Sequence, residues 1–150
     1  MRQEARGVAG DRRGVLAHAD AAGLTDFVVY LLVALALVAL FTWLYMLVTP
    51  QRELALIRAG NQAAAVSLGG AILGFAIPLA MSIAQSHDLL DMAIWSLIAL
   101  VVQLGVFFLC GVLIDHEAKR ITEGDMAAAS FLAITSIAAG LVNAACMTSP

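Results

Sequence analysis

At 150 residues and a formal net charge of −3, the chain is 62% hydrophobic and only 13% charged, about half the charged fraction of an average soluble domain. A soluble domain this short cannot hide so much apolar surface from water, so the mean hydropathy of +0.94 points to lipid as the solvent. The acidic balance, without a concentrated Lys/Arg face, excludes nucleic acid as a partner and speaks against specific binding of acidic lipids.

Residues 1–26 come first. They mix Arg2, Arg6, Arg12 and Arg13 with Glu4, Asp11, Asp20 and Asp26, and Gly7, Gly10, Gly14 and Gly23 interrupt them. With little apolar periodicity, the segment reads as a largely disordered tail, with at most a short surface helix over 15–22. All 8 Lys+Arg and 11 Asp+Glu then fall outside four apolar stretches at 27–48, 63–84, 92–114 and 127–147. Each stretch is close to the roughly 20 residues that cross a hydrocarbon core as helix. Backbone groups in lipid must bond internally, so all four are expected to be helical.

The first span is bulky, with Leu31, Leu32, Leu35, Leu37, Leu40 and Phe41. It is too long for a signal-peptide core, and no small-residue cleavage site follows, so it reads as retained. Trp43 and Tyr45 near its end, and Trp95 at the start of the third span, read as interfacial anchors. The second and fourth spans carry small residues instead, Gly69, Gly70 and Gly74 in one and Ser136, Ala138, Ala139 and Gly140 in the other. Small residues allow close backbone approach, so these two spans are expected to form an inner pair. Pro78 interrupts the second span four residues after Gly74, where the fourth has Val142 beside Asn143. That difference fits either a ligand path or drift between two related halves.

The halves are related by a shift of 64 residues, the separation of Gly60 and Gly124. Glu53 falls on Glu117, Ile57 on Ile121, Asn61 on Asp125, and Ala63, Ala64 and Ala65 on Ala127, Ala128 and Ala129. Mechanically, each copy reads as a span, a short helix starting near Thr49-Pro50 or Asp115, a left-handed glycine, and an Asn or Asp capping the next span. The expected fold is an all-α membrane protein of four transmembrane helices, formed by parallel duplication of a two-helix unit, with copies at 27–84 and 92–148. Two spans per copy give both copies the same orientation. Arg52, Arg58, Lys119 and Arg120 lie in the repeated loops, and no Lys or Arg occurs in 85–91 or after Met147. This places the repeated loops in the cytoplasm and both termini outside, against the weight of the four N-terminal arginines.

Few residues offer chemistry. Glu53 and Glu117 read as contacts fixing the connectors, with a proton or cation site as the alternative. Gln103 and Asn143 are the costly polar groups within spans, either interhelical glue or the lining of a pathway. His87, Asp88 and Asp91 share the outer loop, but their spacing is a weak metal pattern and no metal is assigned. Cys110 and Cys146 end antiparallel spans on opposite sides, which excludes a disulfide between them, and both read as small packing residues. No phosphate loop, zinc motif or nucleophile arrangement is present in the sequence, so the expectation is no cofactor and no enzyme.

The run Thr49-Pro50, Glu53, Leu56-Ile57, Gly60-Asn61, Ala63-Ala64-Ala65, with Gly70, Gly74, Ile77-Pro78-Leu79, then Asp91, Trp95, Gln103-Leu104 and the ending Asn143-Ala144-Ala145-Cys146-Met147, resembles the bacterial YjfL-like inner-membrane family, the domain of unknown function 350. The resemblance covers 27–148 and leaves out the long tail. It implies a multi-pass bacterial inner-membrane protein with a duplicated two-helix domain, and carries over no catalytic or binding residue. Three functions are therefore weighed, the least favoured being a membrane enzyme, which has only His87, Asp88 and Asp91 in its favour. One is a non-enzymatic module that assembles with itself or a membrane partner in the lipid bilayer, motivated by the small-residue faces. Another is a small oligomeric channel or transporter, motivated by Pro78, Gln103 and Asn143.

Overall fold

A computed structural model describes residues 2–49, 53–113 and 117–148, with side chains described for 23–49, 53–113 and 118–148. Six helices follow one another: α1 (Arg2–Val48), α2 (Glu53–Arg58), α3 (Gln62–Gln85), α4 (Leu89–Leu113), α5 (Glu117–Thr122) and α6 (Met126–Met147). Among the described residues, four helical segments are long and apolar enough to cross a membrane: Gly23–Val48, Gln62–Gln85, Leu89–Leu113 and Met126–Met147. The chain is an all-α, multi-pass membrane protein.

The backbone of α1 is helical from Arg2, so the structure carries helix through the segment expected to be disordered. No proline occurs before Pro50, and the four glycines are isolated among alanines and other helix formers. Each such glycine costs a helix only about 1 kcal/mol. The expected helix starts at Pro50 and Asp115 lie outside the described residues.

The chain divides into two compact units, Met1–Leu35 and Ala36–Pro150. In the first, Leu24, Phe27, Leu31 and Leu32 are exposed along the helix, as side chains facing lipid are. In the second, α3 is the central helix: half of its apolar window is buried (50%), against 28% for α4 and 28% for α6. The inner pair expected from the small residues is present as the α3–α6 contact, yet α6 is as open to lipid as α4.

Two regions close this second unit. At the connector end, Ala63 and Ala64 of α3 pack with Cys110, Ile121, Ala128, Ala129 and Leu132. The two alanine triplets are used one residue out of step, since Ala63 pairs by sequence with the exposed Ala127. Nearer the middle, Phe41 stacks on Phe75 with centroids 4.7 Å apart. Tyr45 meets Phe107 edge-on at 5.0 Å. Tyr45 is 1% exposed and its hydroxyl shares a 3.2 Å hydrogen bond with Ser67 Oγ. Tyr45 is therefore a core residue, not an interfacial anchor, because Ser67 supplies the polar partner that a buried phenol needs. Trp43 and Trp95 are exposed at 55% and 44%.

Candidate functional site

Three groups of residues set the spanning helices relative to one another. The first is the connector turn, which is built twice. Gly60 and Gly124 take φ of 87° and 88°, a region that side chains with a β-carbon rarely adopt. In the first turn, the Gly60 N–H donates to Ile57 O at 3.0 Å and the Asn61 N–H to Leu56 O at 2.9 Å. In the second, the Gly124 N–H donates to Ile121 O at 3.0 Å and the Asp125 N–H to Arg120 O at 2.9 Å. This paired bonding uses up the last carbonyls of a helix that has no successor turn. The residue after each glycine then caps the next span: Asn61 Oδ1 accepts from the Ala64 N–H at 3.0 Å, and Asp125 Oδ1 from the Ala127 N–H at 2.8 Å.

The two caps differ in what else they do. Asn61 Nδ2 reaches across to donate to Ile121 O and Thr122 O, each at 3.0 Å. It thereby ties the start of α3 to the end of α5. A carboxylate has no proton to give, and Asp125 instead receives Arg120, with Nε and Nη2 both 2.8 Å from Oδ2. The Arg120 hydrogen bond, followed by the Ala128 and Ala127 N–H groups, holds the Asp125 carboxyl below the usual aspartate range. Glu53 is 1% exposed in the first turn of α2. Glu117 opens α5, but its side chain lies outside the described residues.

The second group is the α3–α6 seam. Gly70 lies against Ala133, leaving no room for a β-carbon. Gly74 lies against the Ser136 carbonyl and Gln103 Nε2, and Gly140 against the Gly74 carbonyl. Pro78 is fully buried inside α3 and has no N–H to return to Gly74 O. The freed carbonyl instead faces the α-carbon of Gly140. Weak Cα–H···O contacts of this kind recur where helices cross closely.

The third group is the buried polar residues. Gln103 is 2% exposed, and its Nε2 donates to Ser136 O at 3.1 Å. Gln103 Oε1 and Asn143 Nδ2 are both buried without a hydrogen-bond partner. The structure thus brings Gly74, Gln103, Ser136 and Gly140 together. Asn143 lies two helical turns beyond Ser136, about 10 Å along the axis. It edges an open, apolar groove of about 540 Å³ between α4 and α6, beside Val102, Thr135 and Cys146. Cys110 is buried, Cys146 is exposed, and no disulfide joins them.

Ser82 and Ser96 are visible in the sequence as polar residues within spans, but sequence reasoning did not pair them, and both are buried. Ser82 Oγ lies 2.9 Å from Met92 O and 3.2 Å from Ser96 Oγ. Serines in apolar spans are a weak signal, and only the crossing of α3 and α4 pairs them. It also missed the use of Asp88, whose Oδ1 accepts from the Asp91 N–H at 2.8 Å and so caps α4. Among the described residues, no three His, Cys, Asp or Glu side chains converge as metal ligands.

The fold and seam define a multi-pass α-helical membrane protein whose helices are held by close backbone contact and capped connectors. Over residues 19–147 the chain matches the family described as Domain of Unknown Function (DUF350), and it belongs to that family. It is 34% identical over 125 residues to UPF0719 inner membrane protein YjfL of Escherichia coli K12, covering 83% of this chain and 95% of that protein. It is 33% identical over 128 residues to UPF0719 transmembrane protein YshE of Bacillus subtilis 168, covering 81% of this chain and 92% of that protein. No solved structure matches.

Proposed function

We propose that the chain is a non-enzymatic module of the bacterial inner membrane that assembles with itself, or with a membrane partner, through its lipid-level surface. The observation that carries this reading is the seam itself. Backbone meets backbone at Gly74 and Gly140, with Gln103 Nε2 against Gly74, and Phe41 stacks on Phe75 as a second buried contact between spans. A filled centre suits a structural element better than a conduit. The inner-membrane assignment draws on the name of the Escherichia coli relative. The repeated loops are read as cytoplasmic and both termini as external, because Arg58, Lys119 and Arg120 lie in the connectors. The in-register turns at Gly60 and Gly124 support a tandem duplication of one two-helix unit.

A second reading, a small oligomeric channel or transporter, is favoured by one observation. Gln103 Oε1 and Asn143 Nδ2 are polar atoms held within spans without partners, as groups that exchange with a passing solute would be. Native mass measurement of the full chain in lipid nanodiscs tests assembly. A defined oligomer is expected; a monomer at every protein-to-lipid ratio contradicts self-assembly.

A further inference from the structure

The end of the second unit opposite the connectors holds a cavity of about 290 Å³, lined by Ser82, Gln85, Ser86, His87, Asp91, Trp95 and Met147. Nothing in the family match or in the relatives' names assigns a role to these residues. The cavity lies where α3 ends, α4 begins and α6 ends, the level at which spans meet water and lipid headgroups.

We propose that this cavity binds an ammonium group, with Asp91 as its counter-ion and the Trp95 indole as its wall. Asp91 and Trp95 are four residues apart on α4 and therefore share one helix face. Both line the cavity. A carboxylate beside an indole face recognises organic cations, by charge and by the quadrupole of the ring. The neighbouring Asp88 is committed to its cap. The Asp91 carboxylate has no hydrogen bond or ion pair among the described residues. The described Lys and Arg side chains, Arg58, Lys119 and Arg120, all lie in the connectors at the far end of the spans, and His87 is the basic side chain that shares the cavity.

Oxygen acceptors complete the site. Ser86 Oγ donates its proton to Ser82 O, which leaves its lone pairs facing outward as acceptors. Gln85 directs its Nε2 to Met81 Sδ, leaving Oε1 to accept. Met147 closes the cavity with an apolar surface suited to methylene groups. The volume is near the lower end of small-molecule sites and fits a short amine better than a bulky ligand. That amine has two possible sources, a free solute or the headgroup of an ethanolamine lipid.

Trp95 is a built-in reporter once Trp43→Phe removes the other of the two tryptophans. The full chain carrying Trp43→Phe is placed in nanodiscs of phosphatidylglycerol alone, and ethanolamine is titrated against Trp95 emission. A saturable change is expected, with ethylene glycol, the uncharged analogue, giving none. Replacing part of the lipid with phosphatidylethanolamine separates the sources. A spectrum already shifted, with no further response to ethanolamine, assigns the site to the headgroup; a response as large as before assigns it to the free amine. Asp91→Asn should weaken the response by about tenfold or more. Gln85→Lys, at an exposed position that does not threaten folding, should remove it by placing a tethered ammonium in the cavity. Asp88→Asn, which keeps a capping side chain, should leave it unchanged. An absent response in both lipids, an equal response to ethylene glycol, an equal loss in Asp88→Asn and Asp91→Asn, or an undiminished response in Gln85→Lys would each overturn the site.

Discussion

Gly74 turns its carbonyl toward the α-carbon of Gly140, into the place a β-carbon there would occupy. The relation depends on a third residue, since Pro78 withholds the N–H that would otherwise claim that carbonyl within α3. In lipid, where association lacks a hydrophobic driving force, such backbone contact is a main source of helix affinity.

Gly140→Ala and Gly70→Ala should therefore each lower stability by about 1–3 kcal/mol, as overpacking does. Gly69, next to Gly70, points the other way, and a β-carbon added there would meet nothing within 4 Å. Gly69→Ala should be neutral or stabilise by up to about 1 kcal/mol through helix propensity. Reversible unfolding in mixed micelles measures all three. Equal effects at Gly69 and Gly70 would contradict the seam.

Gly60→Ala and Gly124→Ala place a β-carbon at φ of 87° and 88° with open space around it. Each should cost about 1–2 kcal/mol from backbone strain alone. Asn at either position should restore part of the loss, because it tolerates the left-handed region. The same unfolding assay reads the difference.

The two caps should respond unequally to exchange of their side chains. Asn61→Asp keeps the cap but loses both donations to Ile121 O and Thr122 O, so about 1–3 kcal/mol should be lost. Asp125→Asn keeps its cap and loses only a half-exposed ion pair with Arg120, and should be the milder change.

Asp125 also predicts a pH effect. Its carboxyl is held below the ordinary value of 3.8, so the folded state favours the ionised form. The stabilisation it brings is complete above the unfolded pKa and is lost as pH falls through the lower folded value. The parent should lose stability over that acid window, and Asp125→Asn should lose less of it. Parallel acid melts of the two proteins would contradict this.

Orientation is tested by cysteines introduced one at a time in a background lacking the exposed Cys146 and keeping the buried Cys110. Introduced at Ala59 and Glu123, they should resist an impermeant thiol reagent in intact cells, and one at Ser86 should react. The opposite labelling pattern would invert the topology.

Much of this architecture is legible in the residues. The uncharged windows mark the spans, because a charge at mid-bilayer is expensive. Gly60-Asn61 and Gly124-Asp125 mark the turns, because helix ends need a left-handed residue and then a cap. The small residues of α3 and α6 mark the seam. What is not legible depends on partners far apart in sequence. Tyr45 reads as an anchor until Ser67 is found to meet its hydroxyl. Asn61 reads as a cap alone until Ile121 and Thr122 present their carbonyls. The cavity at Asp91 and Trp95 exists only because three helix ends converge there.

The central claim is a packed module, and Gln103 tests it most directly. Its Nε2 bonds Ser136 O beside Gly74, while Oε1 has no partner. As packing, the amide contributes well under about 2 kcal/mol, and Gln103→Leu should shift stability only slightly. The measurement is proteoliposome flux of protons, potassium and small amines for the parent and Gln103→Leu. The packed module predicts parent flux no greater than that of empty vesicles. Parent flux above that background, abolished in a well-folded Gln103→Leu protein, would contradict it.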